Sequence, residues 1–179
     1  MNTPLVFKFG GASIKDAESV RNVARIIARF PDRPMVVVVS AMGKMTNAFE
    51  SVVAHWEQQN VSAAQQELDG IRAFHQGIID QLFEQLPQSL QSDLAHWYEH
   101  LTKQLGNTTR SYSEQYDNIV HHGELISTRI VQEYVNLSTP AVWQDTRQLV
   151  RTDAQFRRAT VQWDETAVRI TQAINDDRV

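Results

Sequence analysis

A single lysine, Lys8, interrupts the apolar run Leu5-Val6-Phe7-Lys8-Phe9, and the run ends in Gly10-Gly11-Ala12-Ser13. A cation in a buried strand needs a reason, because an unpaired buried charge is costly. Two consecutive glycines let backbone amides approach an anion closely. A lysine beside such a turn, with a hydroxyl just beyond it, is chemistry suited to holding phosphate. The same residues also suit an edge-strand lysine that deters aggregation, followed by an ordinary turn.

Three other segments place unusual residues at the ends of elements. Ser40-Ala41-Met42-Gly43-Lys44-Met45-Thr46-Asn47 follows a second apolar run, Met35–Val39. Its Gly43-Lys44 pair is not a P-loop, because Met45 stands where a hydroxyl is required and the earlier glycine is missing. His121-His122-Gly123-Glu124-Leu125-Ile126-Ser127 sets a glutamate beside a glycine inside a helical pattern. That glycine costs roughly 1 kcal/mol relative to alanine, so close approach by a ligand or another backbone is expected there. Glu124 suits a substrate amino group, although a solvated helical glutamate is the commoner case. The segment from Asp145-Thr146-Arg147 to Arg151-Thr152-Asp153 carries both charge signs, a pattern that more often makes salt bridges than catalysis. His96 and His100 are four apart, a zinc-compatible spacing, but no third ligand stands at a fixed offset and no metal site is expected.

These segments need elements to position them. Leu5–Phe9 reads as a buried strand, Asp16–Phe30 as a helix with Val20, Val23, Ala24 and Ile27 at helical spacing, and Met35–Val39 as a second strand. A parallel pair with a right-handed crossover is the expected geometry. Ligands of an open parallel sheet bind beyond the carboxyl ends of its strands, where Gly10 and Ser40 both fall. From Thr46 to about Glu114 the pattern is helical, and two to three antiparallel helices are expected as an insert. Glu114–Asn136 reads as one long helix, Pro140–Trp143 as a short third strand, Arg151–Asp153 with Ala159–Gln162 as a small strand pair, and Asp164–Ile174 as a final helix.

The chain has 179 residues, 42% hydrophobic and 21% charged, with a net charge of −4 and no cysteine. One domain with a real core fits this length. Nothing in the charge argues for nucleic acid. Disulfides and thiolate chemistry are excluded. The N-terminus does not read as a secretory signal, and no apolar run spans a bilayer, so a cytoplasmic protein without membrane contact is expected.

Each motif alone is weak, but their order is not. Lys8-Phe9-Gly10-Gly11-Ala12-Ser13, then Val36–Val39 running into Ser40-Ala41-Met42-Gly43 and Thr46-Asn47, then His122-Gly123-Glu124-Leu125-Ile126-Ser127, together resemble aspartate kinase. The later Arg151-Thr152-Asp153 stretch with Phe156 and Ala159 is similar to that family too. The resemblance implies an α/β fold, the three-layer αβα sandwich of amino-acid kinases, with a parallel-sheet core and a helical insert over about 46–114. It implies ATP- and Mg2+-dependent phosphorylation of the L-aspartate side-chain carboxylate to 4-phospho-L-aspartate. That reaction opens the route to lysine, threonine and methionine.

By the same resemblance, Lys8 would contact the transferring phosphate as the catalytic cation. Gly10 and Gly11 would present amides to the phosphates, and Ser40 would lie near the nucleotide. Thr46 and Glu124 would bind aspartate through its carboxylate and ammonium. Ala12 departs from the family, which usually has threonine there, and Met45 fills a variable position. The chain is expected to be the N-terminal, substrate-side part of the kinase domain, truncated before the nucleotide-binding half and the regulatory ACT domains. A homo-oligomer is expected. Two alternatives are a non-catalytic binding or assembly module built on the same fold, and a kinase for another acid.

Overall fold

The computed structural model describes residues 4–175. Strand β1, Leu5–Phe9, passes through a tight 3-10 turn at Gly11–Ile14 into helix α1, Ala17–Ile27, and returns as β2, Met35–Val39. The α1 start is set by Asp16, whose side chain accepts from the Ser19 amide at 2.8 Å. Its buried stripe is Ala17, Val20, Val23, Ala24 and Ile27, the face foreseen from the spacing. β1 and β2 are parallel neighbours in register from Leu5 opposite Met35 to Phe9 opposite Val39.

β1 is not a buried strand, contrary to expectation. Its residues alternate between half-buried and exposed, and Lys8 points to the exposed face with Val6, which is 68% exposed. Helices cover only one face of the two-stranded sheet, where Phe9, Met35 and Val37 meet the core. On the other face Val38, the register partner of Lys8, is also exposed. Lys8 therefore carries no burial cost.

After β2 come α2, Met45–Glu57, α3, Val61–Leu82, and α4, Gln88–Leu105. They bury Phe49, Val52, Leu68, Ile71, Leu90 and Leu101 against one another and against α1. Trp56 donates its indole N–H to the Asn107 carbonyl at 2.8 Å, and Trp97 lies buried against Trp143. Both are packing residues.

The helix expected over Glu114–Asn136 is two helices. α5 is Tyr112–Val120 and α6 is His122–Val135. The break at His121 lets α5 pack on α2 while α6 turns toward β2 and α1. His121 Nδ1 donates to the Asp117 carbonyl at 2.7 Å, tying the junction. The expected strand at Pro140–Trp143 does not form. The Ala141 amide is taken by Asn136 Oδ1 at 3.0 Å and its carbonyl by Gln132 Nε2 at 2.8 Å, so side chains of the α6 end replace a ladder. The pair expected near 151–162 shrinks to one antiparallel bridge between Thr152 and Val161. Asp153 holds the intervening turn by accepting from the Gln155 and Thr160 amides. Helix α7, Trp163–Asn175, closes the described chain.

His75 on α3 sits in the core, 1% exposed. Its Nδ1 lies 3.0 Å from the Ile71 carbonyl and 2.9 Å from the Tyr98 hydroxyl, while Nε2 has no partner among the described residues. Burial pushes its pKa down from 6.5 to about 4, and burial likewise pushes that of His122, 2% exposed, to about 3. The unfolded chain binds protons that the folded chain refuses below pH 6.5, so stability falls as pH drops through that value. By pH 5 the loss should be about 2 kcal/mol for each histidine. Urea denaturation at pH 7 and pH 5 checks this: the midpoint should fall at pH 5, and the fall should shrink in His75→Gln. An unchanged midpoint would contradict the assignment.

Candidate functional site at the carboxyl ends of the strands

β1 and β2 end together, and their continuations are stitched to each other. The Ser40 amide donates to the Phe9 carbonyl at 3.1 Å, extending the ladder by one rung. The Gly43 amide donates to the Gly11 carbonyl at 3.0 Å. This contact is so close that a Cβ on Gly11 would sit 2.6 Å from the Ala41 carbonyl oxygen and 2.8 Å from that of Gly43. Gly43 has φ +53°, a left-handed conformation that suits glycine. The two glycine-bearing loops are thus one unit.

Lys8 enters from β1. Its Nζ would lie 3.4 Å from a Cβ on Gly10, so the ammonium is poised over that glycine, beyond the strand end. Ala12 and Ser13 are exposed in the turn that follows. Thr46 stands in the first turn of α2, half-buried, directly after the Ala41–Lys44 loop.

Glu124 enters from α6. Its Oε1 accepts from the Ala41 amide at a long 3.4 Å. The helix comes this near because residue 123 is glycine: a Cβ there would lie 3.1 Å from the Ala41 Cβ and 3.5 Å from the Phe49 ring. The helical glycine therefore serves close packing against the loop and α2. Ser127, one turn on, donates its hydroxyl to the Ser40 carbonyl at 2.7 Å and fixes the loop from below.

Of the six residues singled out from the sequence, Lys8, Gly10, Gly11, Ser40 and Glu124 converge on this end of the sheet. Thr46, half-buried in the first turn of α2, is placed near it only by following the Ala41–Lys44 loop in the chain. Two contributors were not foreseen. Ser127 gives no sequence signal beyond its place in the His122–Ser127 motif. Lys15 lies with its Cβ 3.8 Å from where a Cβ on Gly43 would be, a neighbourhood that only the folded loops reveal.

Asp145 and Arg147 behave as the sequence suggested, as an ion pair. Arg147 reaches both carboxylate oxygens of Asp145, the shortest contact being 2.6 Å, and donates to His121 Nε2 at 3.1 Å. Burial raises the Asp145 pKa, but the Arg147 hydrogen bonds and charge outweigh it and hold it below the usual carboxylate range. His100 stacks on His122 at 5.6 Å instead of sharing a ligand set with His96. Among the described residues no group of three histidine, aspartate or glutamate side chains is placed to hold a metal ion.

The sequence profile of the amino acid kinase family matches residues 3–179. The chain is 34% identical over 145 residues to aspartokinase 2 of Arabidopsis thaliana chloroplasts, covering 73% of this chain and 24% of that protein. It is 31% identical over 157 residues to the aspartokinase of Chlamydia trachomatis, covering 87% and 33%. The crystal structure of E. coli aspartokinase III in complex with aspartate and ADP superposes with a TM-score of 0.82 at 25% identity, over 97% of this chain and 39% of that one. The chain thus has the fold of aspartokinase III, and it spans about a third or less of the curated relatives it matches.

Proposed function

Because the chain belongs to the amino acid kinase family, we propose that it supplies the aspartate-side part of an ATP-dependent aspartate kinase. The observation that carries this is the meeting of Lys8, the two glycine loops and Glu124 at one strand end. A cation, close-packed loop backbone and a carboxylate there match the needs of a phosphate donor and an amino acid acceptor. The likeness to a structure solved with aspartate and ADP supports the same pairing.

Glu124 would receive the aspartate ammonium on the carboxylate oxygen not turned to Ala41, and Thr46 would bind its α-carboxylate. The side-chain carboxylate then attacks the γ-phosphorus of ATP, the bond to the β-phosphate oxygen breaks, and ADP leaves with 4-phospho-L-aspartate as the other product. Lys8 would neutralise charge on the phosphoryl group in flight. Gly10 leaves room for the ammonium, and Ser40 borders the nucleotide. Positioning and charge neutralisation are what phosphoryl transfer asks of a protein. Magnesium bound with the triphosphate would add to that charge neutralisation. Such a kinase would open lysine, threonine and methionine biosynthesis. A cation beside Gly10 and a carboxylate beside Ala41, on two loops bonded to each other, favour it over a non-catalytic module.

The chain covers 16%, 24% and 33% of three aspartokinases it matches, so most of such a kinase lies outside these 179 residues. Catalysis by positioning needs both substrates held together. Residues 1–179 alone should therefore give no measurable aspartate-dependent ADP in a coupled assay, and at best millimolar aspartate binding, weakened in Glu124→Gln. Robust turnover by this segment, or aspartate binding indifferent to Glu124→Gln, would overturn the placement of the site.

A further inference from the structure

The chain has only four lysines among its 17 basic residues. Lys103, on α4, is paired with Glu99 at 2.6 Å. The other three, Lys8, Lys15 and Lys44, lie on the two stitched loops or the strand leading into them, all exposed. None of them makes an ion pair with a described residue. Several arginines behave differently: Arg129 is held by Asp93 and Glu133, Arg147 by Asp145 and Arg169 by Glu165. Asp16 caps α1 by accepting from the Ser19 amide, and Glu124 turns one carboxylate oxygen to the Ala41 amide.

Lys15 follows the 3-10 turn that Gly11 opens, and its Cα and Cβ stand 3.9 and 3.8 Å from a Cβ position on Gly43. Lys44 is the next residue after Gly43 and starts α2. The Gly43-to-Gly11 hydrogen bond therefore brings the backbones of Lys15 and Lys44 to the same end of the sheet as Lys8. Asp16, beside Lys15 in sequence, interacts with that one charge, but three exposed cations on this end of the sheet leave a net positive field that would attract a polyanion.

We infer that Lys15 and Lys44 are positioning residues for a polyphosphate, flanking Lys8 on the two stitched loops. The identification of that polyphosphate with the triphosphate of the phosphate donor rests on the kinase assignment above. Lys8 acts on the transferring group, whereas Lys15 and Lys44 draw the chain of phosphates to the loop pair and hold it there. In place of the hydroxyl that Ala12 lacks, the loop has charge.

The test uses residues 1–179 and tripolyphosphate as the probe, followed by calorimetry and by amide chemical shifts. Saturable binding is expected, with shifts centred on Gly10, Gly11 and Gly43. The double variant Lys15→Gln/Lys44→Gln should weaken it about tenfold and flatten its dependence on salt, because exposed charges act through a screened field. Lys103→Gln should bind as the parent does. All four lysines are exposed, so the variants should fold alike, and melting curves check that. Absence of binding, shifts centred away from the loops, or a double variant that binds like the parent would overturn the inference. Aspartate titrated separately distinguishes the two ideas. Aspartate binding that depends on Glu124 with no tripolyphosphate binding leaves the kinase assignment and removes this one; the reverse keeps the polyphosphate site and removes aspartate.

Discussion

Lys8→Ala should lower kcat of the proposed aspartate kinase by about a hundredfold or more, the scale of losing one preorganised charge-stabilising donor. Its melting temperature should move by no more than roughly 2 °C, because an exposed strand substitution is worth only a few tenths of a kcal/mol. Sequence alone suggests a different reason for the same thermal result, namely relief of a desolvated cation. The structure removes that reason: Lys8 lies on the uncovered face of β1 and has no described counter-ion to lose. Steady-state kinetics with aspartate and ATP, beside a thermal melt, make the comparison. A near-normal kcat would leave Lys8 as an edge-strand residue that deters aggregation.

Gly11→Ala should be the most damaging single methyl in the site. The added Cβ meets two carbonyl oxygens, at 2.6 and 2.8 Å, and neither belongs to a side chain that can swing away. The loops must part, which strains the Gly43-to-Gly11 hydrogen bond and shifts Ala41, the residue whose amide faces Glu124. A stability loss of about 1–3 kcal/mol is expected, as for overpacked cores. For a chain of this size that lowers the melting temperature by roughly 2–12 °C. Gly10→Ala is the control: its Cβ meets only the far end of the Lys8 side chain at 3.4 Å, which can move. Equal melting temperatures for the two variants would show that the loops are not locked at Gly11.

Much of the architecture was legible because local patterns decide it. The apolar runs at Leu5–Phe9 and Met35–Val39, joined by an amphipathic helix, give the parallel pair and its register. The ordered motifs indicated the family. What stayed hidden depends on contacts distant in sequence. Periodicity continues across His121, so nothing local announces the break between α5 and α6; packing of α5 on α2 and of α6 near β2 imposes it. Pro140–Trp143 has strand composition, but a strand needs a partner, and Asn136 and Gln132 satisfy Ala141 instead. The exposure of Lys8 could not be read from an apolar run, because it depends on which sheet face the helices cover. The roles of Lys15 and Ser127 required the folded loops.

The contact between Ala41 and Glu124 joins residues 83 apart in sequence. Closing so long an excursion costs conformational entropy that grows only with the logarithm of its length, and doubling the length adds just about 0.6 kcal/mol. The helices between can therefore lengthen, shorten or exchange surface features with little effect on whether the two ends meet. The ends themselves have no such latitude, since one methyl at Gly123 would already crowd Ala41 at 3.1 Å. In this chain, tolerance to insertion and intolerance to substitution lie side by side. The border between them runs through the packing of α6 on the Ser40–Gly43 loop.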